Sequence, residues 1–218
     1  MDGVPFLFCD FVVSTLRALP ERSEQLIGSW GAVFESHQTN RRTFDLCIIP
    51  YDGDWLYNLV SQPEGDNNPT IEEFLMLPMR FTRIAAISIS DGPLALMGFK
   101  ISDIPIDEII GSTGFYMNEP TIAFEEAVPE VEDEESELLS LLPYLSDIHF
   151  REIHLDIESS VASYEEFLRS QLPRERLRKV TLNNHVEWSA LVAEELDKTF
   201  PNEAIIEEEE ASFKEYTR

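Results

Sequence analysis

Hydrophobic residues in the second half of the chain recur with one spacing. The segments 150–157 and 177–184 both place large apolar residues in an L-x-x-L-x-L pattern, and they begin 27 residues apart. Apolar runs with a helical period, over 164–172 and 187–200, follow these two segments. Ala204-Ile205-Ile206 comes next and has the composition of a strand. The pattern therefore predicts strand, helix, strand, helix and strand at a nearly constant step.

The same frame occurs earlier in the chain, at 84–90 and in a shorter form at 121–124. A repeat in the twenties with this frame is typical of a leucine-rich-repeat array. We therefore predict an α/β fold with a leucine-rich-repeat-like βα array. The large residues of the frame point inward, so Leu155 and Leu182 are expected to be neighbours in the core of a parallel sheet.

The segment before these repeats predicts a β-hairpin. Residues 43–49 alternate apolar and polar side chains, and residues 55–60 read as a second strand after a turn at 51–54. Thr70 is a suitable N-cap for a short helix after the hairpin. A further short helix is predicted over 104–110, where glycines at 111 and 114 are expected to end it.

The first 42 residues predict short helices. Over 4–19 the large residues at helical spacing share one broad face, namely Phe8, Phe11, Val12, Leu16 and Leu19. Further helical turns are predicted at 23–27, with Ser23 as N-cap, and at 30–37. We therefore divide the chain into a helical segment, 1–42, and a βα repeat domain, 43–218.

The net charge of the chain limits the classes of molecule that we expect as partners. The chain has 218 residues, of which 16 are basic and 42 acidic, so its formal net charge is −26. Nucleic acids and anionic membranes attract positive charge, so we expect neither as a partner. Apolar residues still make up 43 %, which is enough for a core. The excess of acid is expected to be either a solvated surface or an attraction for a basic partner.

The chain has two cysteines, Cys9 and Cys47, both in apolar runs. Two isolated cysteines make neither a disulfide framework nor a thiolate zinc site, which suits a reducing compartment. The N-terminus carries Asp2 and no basic region, so no secretory signal is expected. Apolar runs are all shorter than a membrane span. These features predict an intracellular protein, cytoplasmic or nuclear.

Candidate chemistry is sparse in the sequence. His149 and His154 lie near Asp147 and Asp156, but two ligands are too few for a closed metal site. The chain lacks a nucleophile-elbow motif, a phosphate-binding glycine loop, an H-E-x-x-H helix and paired cysteines. We therefore expect no enzyme, no metal and no cofactor, and we expect protein-protein interaction.

The opening residues, MDGVPFLFCDFVV, carry a family resemblance. This stretch, followed by Trp30, Phe34 and the pair Arg41-Arg42, resembles the start of a nematode-expanded group of F-box-like proteins. The later stretches 167–172 and 177–182 resemble the C-terminal repeat region of the same group. Leu7 departs from the pattern, because an acidic residue usually stands there.

The resemblance implies a function for each part of the chain. F-box-like helices hold a Skp-type adaptor of a cullin–RING ubiquitin ligase, and the C-terminal region selects the substrate protein. The family's Leu-Pro element corresponds to Val4-Pro5. The adaptor-binding residues implied in this way are Val4, Pro5, Phe8 and Val12.

A second set of candidates follows from the strand frame itself. Residues between the large apolar ones face away from the helices and form the surface that solenoids use for binding. The predicted partner-binding residues on this exposed strand face are Ser88, Ser90, His154, Asp156, Thr181 and Asn183. The leading hypothesis is a substrate-recognition adaptor of a ubiquitin ligase. The alternatives are a repeat-type scaffold without that link and an enzyme with no recognisable motif.

Overall fold

The computed structural model describes residues 4–16, 19, 26–51, 53–63, 68–91, 99–101, 104–126, 137–157, 161–207 and 211–218. The helices are α1 (Phe6–Thr15), α2 (Ser29–Asn40), α3 (Ile71–Leu75), α4 (Ile106–Thr113), α5 (Leu142–Leu145), α6 (Val161–Gln171) and α7 (Ala190–Thr199). Short 3-10 helices lie at Gly114–Tyr116 and Glu137–Leu141. The strands are β1 (Arg42–Tyr51), β2 (Asp54–Gln62), β3 (Thr82–Ser90), β4 (Lys100–Ile101), β5 (Met117–Glu125), β6 (Glu152–Asp156), β7 (Lys179–Asn183), β8 (Asn202–Glu207) and β9 (Ser212–Thr217).

The described strands form one mixed sheet of nine strands, in the order β4-β2-β1-β3-β5-β6-β7-β9-β8. Its centre consists of five parallel strands, β1, β3, β5, β6 and β7. Their order across the sheet follows their order along the chain. The predicted hairpin is confirmed as the antiparallel pair β1 and β2. The fold class is therefore α/β, and consecutive parallel strands are joined through helices.

The main core lies on one face of this sheet. One row of paired residues crosses the central strands as Leu46, Ile87, Ile122, Ile153 and Val180, and the next row as Ile48, Ile89, Phe124, Leu155 and Leu182. All of these side chains are buried. The helices pack on this face, as when the ring of Phe74 in α3 meets Phe44 edge to face at 5.2 Å. The predicted pairing of Leu155 with Leu182 is confirmed.

Local signals explain several element ends. The Thr70 hydroxyl accepts a hydrogen bond from the amide of Glu73, whose carboxylate accepts one from the Thr70 amide, so α3 starts with a complete capping box. Ser189 caps α7 through the amide of Val192. The helix α4 continues through Gly111 and ends at Thr113 with Gly114 as its C-cap, which is within the stretch from Gly111 to Gly114 where a break was predicted. A helix tolerates a single glycine at a cost of about 1 kcal/mol, which the buried Ile109 and Ile110 offset.

The end of the sheet also differs from the prediction. The strand predicted at 204–206 was expected to be the next parallel neighbour of β7. It belongs to β8, and β9 lies between the two, antiparallel to both. β9 was missed because four of its six residues, SFKEYT, are Ser, Lys, Glu or Thr, and it has only two buried positions, Phe213 and Tyr216. The helix predicted at 23–27 falls mostly outside the described residues, and the described 26–27 are not helical.

Candidate functional site

Helices α1 and α2 form a small unit with a core of its own. Its buried residues are Cys9 and Val13 of α1 and Val33 and Phe34 of α2. This cluster is separate from the main core, whose buried members in the described chain start at Phe44. The edge of Trp30 on α2 meets Phe8 on α1, with ring centroids 6.3 Å apart. The first part of the chain is thus a helix pair resting against the sheet.

The outer side of α1 is apolar and exposed. The exposed fractions are 79 % for Leu7, 55 % for Phe8 and 68 % for Phe11. We call these three residues the α1 surface. Large apolar side chains grouped at this exposure on one helix are typical of surfaces that bind another molecule.

The residues predicted to share one face do not all have the same environment: Phe8 and Phe11 are exposed, whereas Leu16 and Leu19, which follow α1, pack against the small core. Cys9 and Val13, one turn apart, point into the unit, whereas Phe8 and Phe11 point outward. The reason is that α1 is apolar all round, so its periodicity carries no contrast from which a buried side can be predicted. The choice of side depends on what α2 covers.

The four predicted adaptor-binding residues lie on α1 or directly before it. Pro5 and Phe8 are exposed, and Val4 and Val12 are half-buried. Val4 packs against the small core of the helix pair. Sequence reasoning missed Leu7 and Phe11 as members of the exposed set. The high mean hydropathy of this helix, without any charged residue except Asp10, was the available signal.

Polar contacts fasten the C-terminal end of α1 to the sheet. Arg41, just before β1, donates to the carbonyl oxygens of Val13 at 2.7 Å and Leu16 at 2.8 Å. Arg83 of β3 donates to the same Leu16 oxygen at 2.6 Å. The last carbonyls of a helix carry partial negative charge, so two guanidinium groups are well placed there. Burial, with the nearby charge of Arg41, lowers the pKa of Arg83 to about 10.

A second contact lies on the other side of α1. Asp10 accepts from Arg80 Nε at 2.7 Å and lies 3.0 Å from His37 Nε2 on α2. The imidazole of His37 is fully buried and packs on the ring of Phe81 at 4.9 Å. Burial lowers the pKa of His37 below its ordinary value of 6.5, although the bond to Asp10 acts in the opposite direction. A neutral ring that donates from Nε2 to the carboxylate satisfies this geometry.

The predicted partner-binding residues share one face of the sheet, opposite the helices. Ser88, His154 and Thr181 lie in one row of paired positions, which also contains Ala123. Ser90, Asp156 and Asn183 belong to the next row along the strands. The structure thus brings all six onto two adjacent rows of neighbouring strands.

Their predicted exposure is wrong for half of them. Ser90, Thr181 and Asn183 keep only 3 %, 6 % and 5 % of their surface. Thr181 and Asn183 are covered by the unpredicted strand β9, which pairs with β7 and adds Phe213 to this face, where its ring lies 5.0 Å from that of His154. Ser88, His154 and Asp156 are half-buried.

Asn183 has an internal structural function. Its amide nitrogen donates to Asp156 Oδ1 at 2.8 Å, and its amide oxygen accepts from the backbone of His185 at 2.8 Å. Both ends of the side chain are therefore used within the protein, which leaves little capacity for a partner.

A cleft of about 580 Å³ lies where α4 passes into β5. Phe115 and Tyr144, both exposed, contribute to its wall together with Asp147 and His149. Glu119, also in the wall, has a left-handed φ of 55° and lies 3.4 Å from Arg176. A glutamate in this conformation is strained, and the ion pair helps to hold it. The cleft shows no arrangement of groups that defines a reaction.

Metal binding finds no support in the described part of the chain. Among those residues no group of three or more histidine, cysteine, aspartate or glutamate side chains is placed to hold a metal ion. Both cysteines are free thiols, and burial raises the pKa of Cys47. In the described ranges no helix has both the length and the hydrophobicity to cross a membrane.

Comparison of the chain with protein-family models, with curated proteins and with solved structures finds no match.

Proposed function

We propose that this protein is an interaction module that binds an adaptor protein through the α1 surface and a second protein through its repeat domain. In the resemblance described above, this is a substrate-recognition adaptor of a cullin–RING ubiquitin ligase. The observation that carries the proposal is the exposure of Leu7, Phe8 and Phe11 on a helix that is otherwise well anchored. Fixed apolar side chains on a rigid helix are the usual anchors of a protein interface.

The anchoring of α1 supports binding without large rearrangement. Arg41 and Arg83 bind carbonyls at the C-terminal end of the helix, Arg80 binds Asp10, and Asn118 donates to the Thr15 carbonyl at 2.9 Å. A partner that contacts Leu7, Phe8 and Phe11 does not have to break these bonds. Little ordering entropy is then lost when α1 binds.

The repeat domain is consistent with an array of the leucine-rich-repeat type. Five parallel strands follow one another in chain order, and their apolar rows lie in register beneath the helices. Such arrays present a broad surface for another protein. The half-buried Ser88, His154 and Asp156 are the members of the predicted partner-binding set that retain accessible surface.

The first experiment tests the α1 surface against a purified Skp-type adaptor. Phe11→Asp and Phe8→Asp should each weaken binding by about tenfold or more, since central apolar anchors contribute about 1.4 kcal/mol or more. Isothermal titration calorimetry measures the affinity. A matched control is Ile101→Asp, which places the same charge on an equally exposed apolar residue, 71 % exposed, on the distant strand β4.

Two results would contradict the proposal. One is equal affinity of the parent, Phe11→Asp and Ile101→Asp, which would mean that the adaptor binds elsewhere. The other is a parent protein that does not bind the adaptor at all, in which case the ubiquitin-ligase link fails.

A further inference from the structure

Strand β8 forms one edge of the described sheet. It spans Asn202–Glu207, and the only strand paired with it in the described chain is β9. Every residue of β8 except Ile206 is exposed, and the Ile205 side chain keeps 59 % of its surface. An edge of six residues is long enough to pair with another strand.

The hydrogen bonds between the β7 and β9 regions determine which residues of β8 direct their backbone N–H and C=O groups away from the sheet. The amide of Arg218 donates to Arg178, and that of Asn184 donates to Ser212, so even-numbered residues of this β9 region turn their backbone groups toward β7. Backbone groups alternate along a strand, so the odd-numbered residues of β9 turn toward β8.

The register then assigns each residue of β8. Positions 213, 215 and 217 of β9 pair with 206, 204 and 202. The other three residues, Glu203, Ile205 and Glu207, direct their N–H and C=O groups away from the sheet. Among the described residues, no further strand pairs with these outward groups.

Side chains at the edge define the kind of strand that fits. Ile205 is opposite Lys214, which is opposite the core residue Leu182, so Glu203, Ile205 and Glu207 share the helix-bearing face. Glu203 Oε1 forms an ion pair with Lys214 Nζ at 2.8 Å, and Glu207 is exposed. The sequence continues with three more glutamates, at 208–210. The edge is thus an apolar position between two acidic ones.

We propose that β8 binds an extended, basic segment of a partner protein as an additional strand. Backbone hydrogen bonds to Glu203, Ile205 and Glu207 supply the pairing, and alternate side chains supply the selectivity. The matching segment has lysine or arginine on either side of an apolar residue, in the pattern basic-x-apolar-x-basic. A second copy of this chain is not expected to bind at this edge, because each copy has a net charge of −26 and the two would repel each other.

The probe is a capped heptapeptide, TKTVTKT in one-letter code, titrated into the ¹⁵N-labelled full chain. The binding shifts should centre on the amides of Glu203, Ile205 and Glu207. A peptide methylated on the backbone nitrogens that face β8 should bind at least about tenfold more weakly, since it keeps the charges and loses the donors. The acidic counterpart TETVTET should not bind.

Ile205→Pro tests the protein side, with Ile205→Thr as its matched control. Both remove the exposed isoleucine side chain, but only proline removes the outward N–H, and an edge strand tolerates proline where its N–H faces solvent. The proline variant should lose about tenfold in affinity for TKTVTKT, and the threonine variant should stay within about threefold of the parent.

Three outcomes would overturn the proposal. The first is equal binding of the methylated and unmethylated peptides, which would show attraction between charges without strand pairing. The second is the largest shifts at residues outside β8. The third is no binding of TKTVTKT to the parent at low salt. The peptide comparison uses the parent chain only, so it decides the question even if Ile205→Pro fails to fold.

Discussion

Single arginines determine how the N-terminal helix meets the sheet. Arg41 and Arg83 converge on the carbonyl oxygen of Leu16, from the segment before β1 and from β3. Two like charges this close are tolerated because the helix end provides compensating negative partial charge. The Leu16 oxygen thus gives the half-buried Arg83 a hydrogen-bond acceptor.

His37 introduces a pH dependence at the residue scale. Its Nε2 is hydrogen-bonded to Asp10 Oδ1, and its Nδ1 is buried without a hydrogen-bond partner among the described residues. A proton on Nδ1 would be a buried donor without an acceptor, close to the cations Arg41 and Arg80. Protonation is therefore disfavoured in the folded state.

The resulting prediction has a definite sign. Because the folded-state pKa of His37 lies below the ordinary 6.5, the unfolded chain binds the proton more readily. The stabilising contribution is complete above about pH 6.5 and is lost as the pH falls below it, by at most about 1.4 kcal/mol per unit of pH. Urea unfolding at about pH 7 and about pH 5 measures this change.

His37→Gln is the control, because a glutamine amide can still donate to Asp10 but does not titrate. The free energy of unfolding of the parent should fall more steeply with acid than that of the variant. Parallel curves for the two proteins would show that His37 does not couple protonation to folding.

At the scale of elements, the two glycines inside helices have opposite functions. A β-carbon at Gly31 in α2 would lie 2.6 Å from the carbonyl oxygen of Leu26, closer than real contacts permit. A β-carbon at Gly111 in α4 would meet no heavy atom within 4 Å in the described structure. The first glycine allows a close approach of backbone, and the second only lowers the stability of its helix.

Alanine at each position should therefore shift stability in opposite directions. Gly111→Ala should raise the free energy of unfolding by about 0.5–1 kcal/mol, the difference in helix propensity. Gly31→Ala should lower it by about 1–3 kcal/mol, because the clash with the Leu26 carbonyl outweighs the same propensity gain. Denaturant titration of both variants measures the signs. If both alanine variants were more stable than the parent, the distance between the Leu26 carbonyl and Gly31 would have to be larger in solution.

At the scale of the whole molecule, the described residues form two separate apolar clusters. The large one lies between the sheet and helices α3 to α7, and the small one lies inside the α1–α2 pair. The joint between them includes polar contacts, namely hydrogen bonds to α1 carbonyls and the Asp10 ion pair. Polar joints can be broken and rehydrated with a smaller loss than an apolar core.

Deletion of residues 1–41 tests this division. We expect the remaining chain, 42–218, to stay folded and monomeric with a cooperative unfolding transition, and to lose any binding that depends on the α1 surface. Circular dichroism, size-exclusion chromatography and denaturant titration measure these properties. Aggregation of the truncated chain would instead mean that α1 and α2 cap the sheet, whose end would then expose apolar surface.

The sequence alone was sufficient to predict several strands at the centre of the sheet. The L-x-x-L-x-L frame predicted β3, β6 and β7 and the inward pairing of Leu155 with Leu182. Alternation predicted the β1–β2 hairpin, and Thr70 marked the start of α3. These predictions succeeded because the local period of the apolar residues matches the pattern of burial. In each of these strands the apolar residues lie on the face that the helices cover.

Three features depended on the tertiary structure. The exposed side of α1 could not be predicted, because that helix is apolar all round and only the position of α2 selects Cys9 and Val13 for burial. The insertion of β9 between β7 and β8 buries Thr181 and Asn183 and leaves β8 at the edge. The contacts of Arg41, Arg80 and Arg83 with α1 and with Leu16 join residues up to 70 positions apart. Strand order and long-range contacts of this kind arise from the competition among all segments for the same sheet and core, and short-range patterns in the sequence carry no record of its outcome.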